Sequence, residues 1–144
     1  MPLPPGSGVG AYESAMDRIV IPALRRFRPG LIIVASGYDG GLLDPMGRMM
    51  LHSEAFRGMT RTVLALADEL CGGRLVICHE GGYSSSHVPF CGLAVLEALS
   101  GRRTDCVDPF LGYAQHFGQQ ELQPHQDALI ASVEPLLERV PQPR

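Results

Sequence analysis

Between Ala11 and Arg28, apolar side chains fall at Met16, Ile19, Val20, Ala23, Leu24 and Phe27, the i, i+3, i+4, i+7 recurrence of one helix face. Pro22 lies inside that span. Lacking an amide proton, it removes one backbone bond, so a kink is expected there, and Arg28-Pro29-Gly30 supplies the stop. The pattern then changes from periodic to continuous. Leu31-Ile32-Ile33-Val34-Ala35 is an unbroken apolar run bounded by turn residues, which predicts a strand buried on both faces of a parallel sheet. A second helix is predicted from about Ser53 to Leu70, with Phe56, Met59, Val63, Leu66 and Leu70 on one stripe and Ser53 and Glu54 as its start signals. Cys71-Gly72-Gly73 ends it, and Arg74 to Cys78, centred on Leu75-Val76-Ile77, predicts a second buried strand. Beyond lie a helix from Pro89 to Ser100 closed by Gly101, a short edge strand from Thr104 to Val107, and a helix from about Pro124 to Val140 interrupted by Pro135. The first ten residues hold three prolines and three glycines and predict an irregular loop.

The order helix, strand, helix, strand, helix implies an α/β fold with parallel strands joined by a right-handed crossover. Ligands belong at the carboxyl ends of such strands. Two glycine-rich segments, Ser36 to Gly41 and His79 to Ser84, both leave at that end and should converge if the strands are neighbours. Two strands are too few for independent stability, so the chain is expected to be part of something larger.

Composition narrows the function classes. At 144 residues and 45% hydrophobic, the chain is sized for one domain with a real core. A net charge of −3 shows no basic bias, which argues against direct nucleic-acid binding. No apolar stretch approaches the ~20 residues of a membrane span. The opening Met1-Pro2-Leu3-Pro4-Pro5 lacks the features of a secretory signal, so a cytoplasmic address is expected. The four cysteines Cys71, Cys78, Cys91 and Cys106 match neither a redox pair nor paired zinc-finger spacing and are read as free thiols. Cys78 and Cys91 lie in apolar runs and are expected to pack.

Ser36-Gly37-Tyr38-Asp39 followed by Asp44-Pro45-Met46, then Glu80-Gly81-Gly82-Tyr83-Ser84, resembles in order and spacing the latter half of class II histone deacetylases and bacterial deacetylase-like amidohydrolases. The opening Pro2 to Gly8 and the run Pro89 to Val95 are similar to the bacterial members in particular. The resemblance implies an incomplete three-layer α/β/α domain of the arginase/deacetylase-like fold. Residues 1–110 would be the carboxy-terminal part of the catalytic domain, and residues 111–144 a loop and helix of the same domain. It also implies amide hydrolysis on acetylated lysine or a small acylated amine at a Zn2+ ion held by two aspartates and a histidine, with one position open. By the same resemblance, Asp39 is one metal ligand. Tyr83 is the catalytic tyrosine whose hydroxyl donates to the carbonyl oxygen and then to the oxyanion. Gly81 and Gly82 belong to the substrate pocket, where the lack of side chains lets the backbone pass close to metal and substrate. The family's Asp-x-His ligands and paired-histidine base have no counterpart among these 144 residues. The isolated chain is therefore expected to be inactive and to bind zinc weakly or not at all.

Plainer readings stand beside these. An aspartate among glycines usually forms a turn, and a tyrosine after Gly-Gly is usually a partly buried aromatic with its hydroxyl satisfied. His79, His87 and Cys91 read as solvated or packed side chains, and Glu80 as a carboxylate that shapes its turn. Gly6, Gly8 and Gly10 lack the spacing and preceding strand of a nucleotide loop, and no G-x-S-x-G elbow is present. The rival function is a non-catalytic half-domain that binds another protein or forms a homo-oligomer through unpaired strand edges.

Overall fold

The computed structural model describes residues 2–142. Helix α1 (Val9–Ala15) runs through a π turn (Met16–Val20) into α2 (Ile21–Phe27). The expected kink at Pro22 takes this form. Pro22 lies in the first turn of α2, and the widened turn before it absorbs the missing donor and the bulk of the ring. The first helix also starts at Val9, two residues ahead of the expected start at Ala11, so the opening loop is shorter than the ten residues expected.

Strand β1 (Ile32–Ser36) pairs in parallel with β2 (Leu75–His79), in a register that sets Ile32 opposite Leu75 and Ser36 opposite His79. Helix α3 (Ser53–Cys71) makes the crossover. It is capped by the His52 ring, whose Nδ1 accepts from the Ala55 N–H at 3.2 Å, while the Ser53 hydroxyl donates to Asp108 at 2.5 Å. The inner sheet face closes a core of Ile32, Val63, Ala67 and Cys71, against which Met16, Leu24, Val34 and Leu75 pack. A second core, of Tyr38, Leu51, Ala55, Phe56, Cys91 and Val95, lies under the strand exits and includes α4 (Val88–Ser100). Arg57 of α3 pairs with Glu97 of α4 at 2.6 Å, both side chains buried, and so ties the two helices together.

Several expectations change. The strands are not buried on both faces: on the inner face Ile32 is buried and Val34, Leu75 and Ile77 are half-buried, whereas Ile33 and Val76, pointing the other way, are 64% and 46% exposed, because no described element covers the outer face. Cys78 sits on that bare face and does not pack, whereas Cys91 is fully buried; all four thiols are free. Thr104 to Val107 form no strand, since the Glu97 carboxylate accepts both the Thr104 N–H and its hydroxyl, at 2.5 and 2.6 Å, and takes the donor a ladder would need. A short helix not read from the sequence, α5 (Leu111–His116), precedes α6 (Pro124–Val133). At Pro135 the chain tightens into a 3-10 turn (Glu134–Arg139), which is where the interruption was expected.

The tail folds back on the first helix. Arg18 pairs with Glu134 at 2.5 Å and with Asp127, and the Gly10 N–H donates to the Gln120 carbonyl at 2.7 Å. Among the described residues, no helix is long and apolar enough to cross a membrane.

Candidate functional site

Parallel pairing does not stop at the strand ends. The Glu80 N–H donates to the Ser36 carbonyl at 3.0 Å, and the Tyr38 N–H donates to the Gly81 carbonyl at 2.7 Å, so the sheet ladder runs on into both exit loops. Glu80 joins its turn through this backbone bond and not, as expected, through its carboxylate, which is exposed and accepts no hydrogen bond among the described residues.

Asp39 stands in a single 3-10 turn (Tyr38–Gly40) anchored by Tyr38. The Tyr38 ring is buried and meets Phe56 and His79 edge-on at 5.3 and 4.8 Å. The Asp39 carboxylate lies directly against the other loop: a Cβ added at Gly81 would come within 2.8 Å of its Oδ2 and 2.9 Å of its Cγ. Gly82, at φ +137, is pressed equally hard, since a Cβ there would meet Tyr38 Cβ and Val88 at 2.9 Å. The absence of side chains at both positions is what lets the loops touch. Asp39, Glu80 and Gly81 border an open cavity of about 720 Å³ that continues along the inner sheet face past Tyr12, Val34 and Ile77.

Tyr83 is placed differently. Its backbone N–H donates to Asp44 Oδ2 at 2.7 Å, fixing it to the Asp39 side of the rim, but the residue is 60% exposed and does not line that cavity. The structure therefore brings Asp39, Gly81 and Gly82 into contact and ties the Tyr83 backbone beside them, leaving the phenol turned toward solvent.

Two residues without a predicted role belong to this rim. Burial, with the negative charge of Asp39 adding to it, pushes the Tyr12 hydroxyl above the ordinary phenol range, so it stays protonated and can donate. Nothing in the sequence marked Tyr12, which sits in an ordinary helical stretch. The other, Asp44, was visible as part of the motif, but its partner at Tyr83 is 39 residues away.

His87 is packed, as its plainer reading had it. Its Nε2 lies 3.6 Å from Cys91 Sγ and 4.0 Å from Asp108 Oδ2, and a Cβ on Gly41, in the Asp39 loop, would meet its Nδ1 at 3.0 Å. Burial lowers the His87 pKa despite the pull of Asp108 and Asp44, and burial pushes the Cys91 thiol up to about 12. The Cys91 thiol therefore stays protonated and unreactive near neutral pH, and the His87 ring stays neutral and packed out of reach of solvent.

Among the described residues, no three His, Cys, Asp or Glu side chains come together to hold a metal. One carboxylate at Asp39 does not by itself fit a catalytic zinc, which needs three protein ligands.

The chain matches the histone deacetylase domain family over residues 1–99. It is 56% identical over 115 residues to the histone deacetylase-like amidohydrolase of Pseudomonas aeruginosa, covering 80% of this chain and 30% of that protein. It is 35% identical over 102 residues to a probable deacetylase of Archaeoglobus fulgidus, covering 70% of this chain and 28% of that one. Its fold superposes on the solved histone deacetylase Clr3 with a TM-score of 0.75 at 27% identity, over 95% of this chain and 21% of that chain. The chain thus spans about 30% of the length of these two curated relatives. On both sequence and fold, the chain belongs to the histone deacetylase family.

Proposed function

We propose that this chain is the carboxy-terminal part of a zinc-dependent deacetylase that hydrolyses the amide of acetylated lysine or of a small acylated amine. The observation that carries the reading is the shared rim, where the Asp39 and Tyr83 loops leave neighbouring parallel strands and are hydrogen-bonded to each other. In that reading Asp39 contributes one carboxylate to the metal, whose other ligands lie outside these 144 residues. Tyr83 swings its hydroxyl onto the acyl oxygen and donates to it as negative charge builds, while Gly81 and Gly82 leave room for the acyl group. No group in the chain is assigned as the base that activates water, so the chain alone is inactive. Residues 111–144 complete the same domain, bracing its first helix. A cytoplasmic location and the absence of direct nucleic-acid binding accompany the reading.

Joined to the upstream part of a deacetylase domain, the Tyr83→Phe chain is expected to lose about a hundredfold or more in turnover while keeping its zinc. Asp39→Asn is expected to lose the metal itself. Near-normal turnover in the first variant, or full zinc occupancy in the second, would overturn the assignment.

The bare outer sheet face supports a second reading, a half-domain that associates with itself or with another protein through Ile33 and Val76. Sedimentation of the 144-residue chain separates the two. A mass that rises reversibly with concentration supports self-association, and a concentration-independent monomer argues against it.

A further inference from the structure

The carboxylate of Asp44 is buried at the base of the rim and takes no part in the chemistry described so far. Its Oδ1 accepts the N–H groups of Met46 and Gly47, both at 2.8 Å, and its Oδ2 accepts the N–H of Tyr83 at 2.7 Å. The first two bonds are what any aspartate makes in a turn of this kind. The third reaches 39 residues along the chain and is not explained by turn formation. Burial alone would raise the Asp44 pKa, but the N–H donors of Tyr83, Gly47, Met46 and Ser84 outweigh it and hold the group below the usual carboxylate range. It is ionised at neutral pH, and charged acceptors make the stronger hydrogen bonds.

The rest of the Tyr83 backbone is held on either side. Gly82 is wedged against Tyr38 and Val88, and the Ser84 carbonyl accepts the N–H groups of His87 and Val88 at 3.1 and 3.0 Å, starting α4. With its main chain clamped and its ring exposed, Tyr83 retains only its own side-chain torsions as freedom.

We infer that Asp44 is a positioning residue that fixes the origin of the Tyr83 side chain relative to the Asp39 loop, so that the phenol sweeps through the acyl site and not past it. For its catalytic consequence this rests on the deacetylase reading; the contact itself does not. An amide cannot replace the carboxylate. Only N–H donors face the two oxygens, and asparagine would turn an NH2 group toward at least one of them.

Two measurements test this. In the 144-residue chain, the Tyr83 amide should exchange slowly with solvent despite the exposure of its ring, and Asp44→Asn should release it while the amides of α3 stay protected. A freely exchanging Tyr83 amide in the unaltered chain would overturn the inference whether or not any variant folds. In the chain joined to an upstream deacetylase half, Asp44→Asn is expected to lower kcat about tenfold or more, with KM within about twofold and zinc content unchanged. In a Tyr83→Phe background the same change should cost less than about twofold, because its effect passes through the hydroxyl already removed. Equal losses in both backgrounds, or loss of zinc, would reduce Asp44 to a structural residue. If the unaltered assembly holds zinc but hydrolyses no acylated amine, the deacetylase reading fails, and the catalytic consequence drawn for Asp44 fails with it; the exchange result still decides the contact.

Discussion

In the Asp39 loop the functional side chain is itself held: its carboxylate is packed against the backbone of Gly81, and the neighbouring Tyr38 is 5% exposed in the core. In the Tyr83 loop only the backbone is held, by Asp44 and the start of α4, and Tyr83 is 60% exposed. The two loops leave the same edge of the same sheet, so the difference is not one of scaffold. It fits what each group would do in the proposed reaction. A metal-binding carboxylate has to be in place before substrate arrives, whereas a phenol that follows an oxygen as it gains charge gains from a free ring on a fixed root. The position of the carboxylate is thus a property of this chain, and the final position of the phenol is left to substrate and to the rest of the domain.

The largest effect that would break this contrast is expected from Gly81→Ala. The new Cβ must displace the Asp39 carboxylate or push the loops apart, and in an assembled domain turnover and metal retention should fall by a hundredfold or more. Retained zinc in that variant would mean the carboxylate does not depend on the contact. The two tyrosines come next. Tyr38→Ala empties a core position and should cost about 3 kcal/mol or more in denaturant unfolding. Tyr83→Ala removes an exposed ring and should stay within about 0.5 kcal/mol. Similar losses in both would erase the distinction between the loops.

A smaller effect concerns α4, which continues from the Tyr83 loop. Hydrogen bonds from the Thr104 hydroxyl and N–H, with Arg57 adding to them against burial, lower the Glu97 pKa from 4.5 to about 2. The folded-state pKa is depressed, so the stabilisation is fully present above pH 4.5 and drains away as pH falls toward about 2. Melting temperatures followed across that window should show an acid loss that Glu97→Gln lacks. Parallel curves would remove Glu97 as the anchor.

The strands and their exit loops were legible because a continuous apolar run between turn residues has few other meanings, and because parallel strands put both loops on one rim. Periodicity reports which way a side chain faces, not whether anything covers it. Hence Ile33 and Val76 read as buried and Cys78 as packed when the outer face is bare. The apparent strand at Thr104 fails for a related reason: Glu97, seven residues earlier, captures its backbone donor. Asp44 shows the same limit at the site. Its motif was visible, but the bond to Tyr83 depends on two loops meeting, which no local pattern encodes.

The most direct test is a crystal structure of this chain joined to an upstream deacetylase half, with zinc and an acetylated lysine peptide bound to a slowed variant that keeps Asp39 and Tyr83. An Asp39 oxygen is expected at about 2.0 to 2.2 Å from the metal and the Tyr83 hydroxyl at about 2.5 to 3.0 Å from the acetyl oxygen. A zinc ion held without Asp39, or a Tyr83 ring still facing solvent over a bound acetyl group, would contradict the account.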